Sequence, residues 1–276
     1  MIRLVVVVVT LAVVTIPLIP IQWIAVKFDL PLQRRIPTFY HRIVCWVIGV
    51  RVHVVGKRLR EPPVMIVSNH VSWLDITVIT AVAPVVFVAK SEVASWPLFG
   101  LFAKLQRSVF VDRNRRHKTS EVTAEIAQRL AGGDPVLLFG EGTAGDGNRV
   151  LPFRTALIGA AGAALGSADA RVWIQPMSIA YVSQQGIPLG RHLRPRAAWY
   201  GKMRLVPHIG ALVRTGAVDV AVSFGEPIPY DAASDRKQLA RRLETAIRGL
   251  TVAALRAQPA PSTQAVFSGI IEEYNL

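Results

Sequence analysis

The stretch Val64-Met65-Ile66-Val67-Ser68-Asn69-His70-Val71-Ser72-Trp73-Leu74-Asp75 decides how this chain is read. Its first four residues are an unbroken apolar run, the mark of a parallel strand covered on both faces. Pro62 and Pro63 stop regular structure ahead of it. Beyond Asp75, Ile76 to Ile79 and Ala81 to Ala83 read as a helix folded back on the sheet. His70 therefore falls where a strand ends and a helix begins, the crevice in which open α/β sheets hold their chemistry. Asp75 lies five residues on, too far to share a regular helix face with His70. A loop entering the helix lets the carboxylate reach back to the imidazole, which makes the base-and-orienter pair of acyl transfer. A His and an Asp five apart also arise by chance, and the surrounding chain has to decide.

The chain has 276 residues, of which 51% are hydrophobic, and a mean hydropathy of +0.37. Thirty-two Lys and Arg face 18 Asp and Glu, giving +14 and a pI near 10.8. Such a charge calls for an anionic partner, and the apolar excess selects a membrane surface over nucleic acid. Scattered aromatics do not make the stacking platform of a single-strand binder. A lone cysteine, Cys45, excludes an intrachain disulfide framework. Leu4 to Val26 is almost unbroken apolar sequence, long enough to span a bilayer, although Pro17 and Pro20 interrupt it. No small-residue cleavage site follows, so it reads as a retained anchor. Lys27, Arg34, Arg35 and Arg42 on its far side put the remaining chain in the cytoplasm, on the inner membrane. Ile43 to Val50 reads as an interfacial helix or the partner in a re-entrant hairpin.

From Val52 the pattern is that of an α/β domain. Strands are expected at Val52–Gly56, Val64–Val67, Val85–Val88, Val109–Val111, Val136–Phe139, Val172–Tyr181 and Val218–Phe224. Val122, Ile126 and Leu130 mark one helix, stopped by Gly132-Gly133; Thr155 to Leu165 suits another, closely packed on the sheet. Leu239, Leu243, Ile247 and Leu250 mark a last helix from about Ser234. The expected organisation is a membrane-embedded segment over 1–50, as a helix or hairpin. An α/β domain follows over 51–256, with a mostly parallel sheet flanked by helices, then a linker and weakly ordered tail over 257–276. Trp96 to Phe102 is apolar enough to be either core or a lipid-facing surface.

Three further stretches carry chemistry. Lys90 is a cation at a strand end, and Arg113 follows Val109-Phe110-Val111-Asp112, where a guanidinium can meet an anion with paired donors. Phe139-Gly140-Glu141-Gly142-Thr143 opens a glycine-rich turn running to Arg149 and Arg154. Gly147 and Pro152 break the helix a dinucleotide fingerprint needs, but backbone N–H groups and Arg149 could still cradle an anionic head group. Pro176 stands inside a strand, which suggests an edge, a bulge or a bend at a pocket. There is no Gly-x-Ser-x-Gly elbow for a serine hydrolase, and no ligand cluster with zinc spacing.

Taken in order, these segments resemble the glycerolipid acyltransferase family that includes the 1-acylglycerol-3-phosphate acyltransferases. Asn69, His70 and Asp75 match its Asn-His-(four residues)-Asp motif; Phe110 to Arg113 match the second. Phe139, Glu141, Gly142 and Thr143 match the third, with Gly140 where proline is usual, and Pro176 matches the fourth. The resemblance implies that His70 deprotonates the hydroxyl of a lysolipid, which attacks an acyl thioester, while Asp75 orients the imidazole. It further implies that Arg113 and Lys90 hold the phosphate and that Glu141, Gly142 and Thr143 shape the acceptor site, with Asn69, Arg149 and Pro176 as further substrate-binding positions. No metal or cofactor is needed; an acyl-CoA or acyl-carrier-protein thioester is the co-substrate. Lysophosphatidic acid is the favoured acceptor. Gly145 to Arg149 and Trp199 to Met203 resemble the branch that acylates lyso-ornithine lipid, the alternative acceptor. A non-catalytic basic membrane-binding protein is the alternative of another class.

Overall fold

The computed structural model describes residues 2–61, 63–112, 119–154, 172–231 and 234–257. Nine strands form one sheet among these residues: β1 (Val50–Val55), β2 (Val64–Ser68), β3 (Val86–Lys90), β4 (Val109–Val111), β5 (Val136–Phe139), β6 (Val172–Gln184), β7 (Ile187–Pro188), β8 (Val218–Phe224) and β9 (Ile228–Tyr230). The order is β1-β8-β6-β2-β5-β3-β4, with β7 and β9 also paired to β6. Five pairings are parallel, and the three antiparallel ones all involve β6. The sheet is mostly parallel and flanked by helices.

Two helices precede it, α1 (Ile2–Lys27) and α2 (Leu32–Ile48); α3 (Leu74–Val82), α4 (Phe99–Leu105), α5 (Thr119–Ala131), α6 (Leu205–Thr215) and α7 (Arg236–Arg256) follow. Alternation along the strands sorts the core into two layers. Ile66 and Leu137 pack with Val44, Ile48, Leu74, Val78 and Leu212 of α2, α3 and α6. Met65, Val67, Val136 and Leu138 pack with Ile126, Leu239, Leu243 and Ile247 of α5 and α7. β2 is buried at every position because both faces are covered, which is why its sequence runs apolar without alternation. Asp235 caps α7 by accepting from Lys237 N at 2.7 Å. The tail expected after residue 256 and the helix expected over Thr155 to Leu165 lie largely or wholly outside the described residues.

α1 and α2 run antiparallel. Arg3 donates to Ile48 O (3.1 Å), Thr15 Oγ1 and Tyr40 Oη share a hydrogen bond (2.9 Å), and Gln22 donates to Gln33 O (3.1 Å). Gly49 ends α2 in the left-handed region, and β1 begins at the next residue. α1 is long and apolar enough to cross a bilayer, with most of its outer valines and isoleucines exposed. Far along the sequence β8 closes on β1, where Arg51 grips the buried Asp219 through one hydrogen bond from Nη2 and an ion-pair contact from Nε, both at 2.8 Å.

Pro176 needs a correction of context. β6 is a central strand, not an edge. Residues 172–174 pair with β9 and residues from Met177 onward pair with β8. Pro176 falls in the gap, its carbonyl accepting from Gly225 N at 2.8 Å, so its missing N–H interrupts no ladder.

Candidate active site

His70 lies two residues past the carboxyl end of β2, in a loop without regular structure. The side chain of Asp75, in the first turn of α3, turns back into that loop. Its Oδ2 accepts from His70 Nδ1 (2.8 Å), Val71 N (2.6 Å) and Ser72 N (3.0 Å), and its Oδ1 from Tyr181 Oη of β6 (2.7 Å). The carboxylate is fully buried, and these four donors offset its desolvation. With Nδ1–H donated to a carboxylate, Nε2 is the basic nitrogen of the neutral ring. Phe139 stacks on the imidazole at 4.0 Å between centroids, and Phe87 stacks on Phe139 at 6.0 Å. One face and one edge of the ring are thereby fixed.

The loop's backbone is anchored group by group. His70 N donates to Glu141 Oε2 (3.1 Å), and His70 O accepts from Gly145 N (2.9 Å). Val71 O accepts from Trp199 N (2.9 Å), and Asn69 O from Ser68 Oγ (2.9 Å). Asn69 itself behaves like an extra strand residue: its amide donates to Ile179 O and accepts from Ile179 N, both at 2.9 Å. Its side chain is committed to β6, not turned to a substrate.

Glu141 is likewise committed to the framework. Its second oxygen accepts from Leu151 N (2.9 Å), so one carboxyl joins the His70 loop to the 140–154 turn. Burial pushes its pKa up to about 8; the two N–H donors pull the other way, and Asp75 and Glu244 add to the rise. Gly140 stands where the family pattern has proline because Phe153 lies against it: a Cβ there would sit 2.6 Å from Phe153 Cδ2.

A cavity of about 1010 Å³ opens onto His70, at the top of the range of roughly 300–1,000 Å³ usual for ligand sites. Lys90, Gly142 and Thr143 line it beside His70; Leu4, Leu11 and Ile19 of α1 and Val44 of α2 supply a long apolar wall. Trp199 and Tyr200 line it too. Arg149 is exposed and, like Asn69, Asp75, Glu141 and Pro176, does not line the cavity. Arg113 lies outside the described residues. Sequence reasoning missed Tyr181 and the α1 wall. Tyr181 sits 106 residues from Asp75 in a strand, where nothing local signals its role.

A protein-family model, Acyltransferase, matches residues 50–180. The chain is 49% identical over 261 residues to a lyso-ornithine lipid O-acyltransferase of Brucella abortus, covering 94% of this chain and 98% of that protein. A lyso-ornithine lipid O-acyltransferase of Rhizobium meliloti is 44% identical over 264 residues, 92% of this chain and 90% of the other. A 1-acyl-sn-glycerol-3-phosphate acyltransferase of Neisseria gonorrhoeae is 30% identical over 198 residues, 71% of this chain and 73% of the other. In fold, the chain resembles the crystal structure of the 1-acyl-sn-glycerophosphate acyltransferase PlsC from Thermotoga maritima, with a TM-score of 0.57 at 21% identity over 81% of this chain and 80% of that one. With a His70–Asp75 pair opening onto a large cavity, and with relatives aligned almost end to end, this chain belongs to the acyltransferase family, as an O-acyltransferase of the lysophosphatidic acid and lyso-ornithine lipid type.

Proposed function

We propose that this enzyme transfers a fatty acyl group from an acyl-CoA or acyl-carrier-protein thioester to the hydroxyl of lyso-ornithine lipid. Lysophosphatidic acid, favoured on the sequence because that activity is the commoner one in the resembling family, becomes the second reading. The observation that carries the change is the nearly end-to-end similarity to two lyso-ornithine lipid O-acyltransferases. Similarity to the glycerophosphate enzymes of Neisseria spans about seven-tenths of the chain.

In this reading His70 Nε2 takes the acceptor's hydroxyl proton as its oxygen attacks the thioester carbonyl. The C–S bond breaks, and the imidazolium returns the proton to the departing thiolate. Asp75 holds the ring's tautomer and stabilises the transient cation. The apolar cavity takes acyl chain, Gly142 and Thr143 flank the acceptor, and Lys90 meets its carboxylate, with Arg113 as a second cation on sequence alone. α1 and α2 embed in the inner membrane, with the catalytic domain on the cytoplasmic side. The test offers purified protein lyso-ornithine lipid and lysophosphatidic acid, each with CoA and carrier-protein thioesters in turn. We expect kcat/KM at least tenfold higher for lyso-ornithine lipid, about 1.4 kcal/mol of transition-state preference. The reverse order would restore lysophosphatidic acid.

A further inference from the structure

Two segments far apart in sequence put large apolar side chains on the surface at the same place. The first runs from Trp96 to Leu101, where Trp96, Leu98 (55% accessible) and Leu101 are exposed. The second runs from Trp199 to Val206, where Met203 and Val206 (76%) are exposed. Trp96 and Trp199 join them in an edge-to-face contact at 6.3 Å, and Trp199 Nε1 closes its own turn on Met203 O at 3.0 Å. Trp96, Leu98 and Gly201 are exposed and also line the large cavity, so the cavity opens outward between these segments.

Leu98 is held there against its backbone preference. Its φ of 64° and ψ of −53° form the rarer hand of γ-turn, closed by Phe99 N to Pro97 O at 2.7 Å. A β-carbon residue is strained in that conformation, and strain of this kind persists where the surrounding structure imposes it. Here it presents a leucine outward. Over residues 90–105 and 199–206 the exposed charged side chains are Lys90, Lys104, Lys202 and Arg204 against Glu92.

We propose that these two segments form a second lipid-contact surface, separate from α1, that seats the cavity mouth on an anionic bilayer. Apolar side chains ringed by cations match the acyl–headgroup boundary of such a membrane. The patch is also continuous with the exposed face of α1 through the cavity that both line. A lysolipid could then pass from the bilayer to His70 without crossing water. The inference rests on the reading that the acceptor is a membrane lipid, but its main test involves no turnover and so fails independently of that reading.

Spin labels placed on the full-length protein by Leu98→Cys, Val206→Cys and, as an exposed control, Gln128→Cys would be compared in phosphatidylglycerol vesicles; Cys45 is buried. Labels at 98 and 206 should become more accessible to oxygen than to a water-soluble nickel complex, while the label at 128 stays nickel-accessible. Equal nickel accessibility at all three would overturn the proposal. So would spin–spin broadening that grows with protein density, which would assign the face to a second copy of the chain. Leu101→Asp combined with Val206→Asp should lower turnover of vesicle-borne lysolipid at least fivefold and leave turnover in detergent micelles unchanged. Unchanged turnover in vesicles would also overturn it, and if the double variant fails to fold the label accessibilities decide.

Discussion

The catalytic loop, 69–73, and helix α1 are opposites. The loop has no regular structure, yet hydrogen bonds with four separate stretches of chain, at Asp75, the 141–145 turn, Ile179 and Trp199, meet its polar groups. α1 is a 26-residue helix that runs through Pro17 and Pro20, with an apolar exterior that few protein atoms cover. Regular secondary structure and a fixed position are therefore different properties. The loop is held by enthalpically specific contacts indifferent to what lies outside. The helix has one wall on the cavity and leaves large apolar side chains exposed on the other.

The sharpest way to break this contrast is His70→Ala. It should cost about a hundred- to ten-thousand-fold in kcat while leaving helicity and vesicle binding intact. An active variant would remove the base from the mechanism. Tyr181→Phe is next. It deletes one donor to a buried carboxylate, worth about 1.5–3 kcal/mol in stability for a charged group. It should lower kcat about tenfold with KM unchanged, since Tyr181 touches Asp75 and no substrate. A change confined to KM would refute a positioning role.

Glu141→Gln tests the framework through pH. Glu141 ionises near 4.5 in the unfolded chain and near 8 when folded. Across that window the native state keeps a proton the unfolded state has lost, so this group's stabilising contribution falls as pH rises from about 4.5 to 8. Denaturation midpoints in detergent at pH 5 and pH 8 should differ less for Gln than for the parent; an unchanged slope would locate the titration elsewhere. The smallest effect belongs to α1. Val9→Thr and Val13→Thr, on its exposed face, should shift stability in micelles by less than about 0.5 kcal/mol. A large loss would show that this face meets protein.

How far the sequence foretold this depended on the range of the interaction. The seven expected strands are present, and the core layer under α5 and α7 follows the expected helical repeats, because periodicity is written within ten or so residues; α6, which helps build the other layer, went unread. β7 and β9 are two and three residues long, too short to alternate. The reach of Asp75 back to His70 was legible as a loop entering a helix, since both partners lie in one segment. Tyr181, and the pairing of Asn69 with Ile179, were not, because a contact across some 110 positions leaves no local trace. Asn69 and Glu141 are expected at the substrate because the family resemblance implies it. Their bonds show that the base itself needs as much holding as a substrate.

The pairing of β1 with β8 has a consequence in time. Arg51 and Asp219 are 168 residues apart, and translation proceeds at about 5–20 residues per second, so β1 waits roughly ten to thirty seconds for its neighbour. For the later part of that interval α1 and α2 have left the ribosome while the strand directly behind them shows an open hydrogen-bonding edge. Early capture of the two helices by a membrane would hold that edge apart from those of other nascent chains, making the anchor a guardian of the sheet before it serves the enzyme.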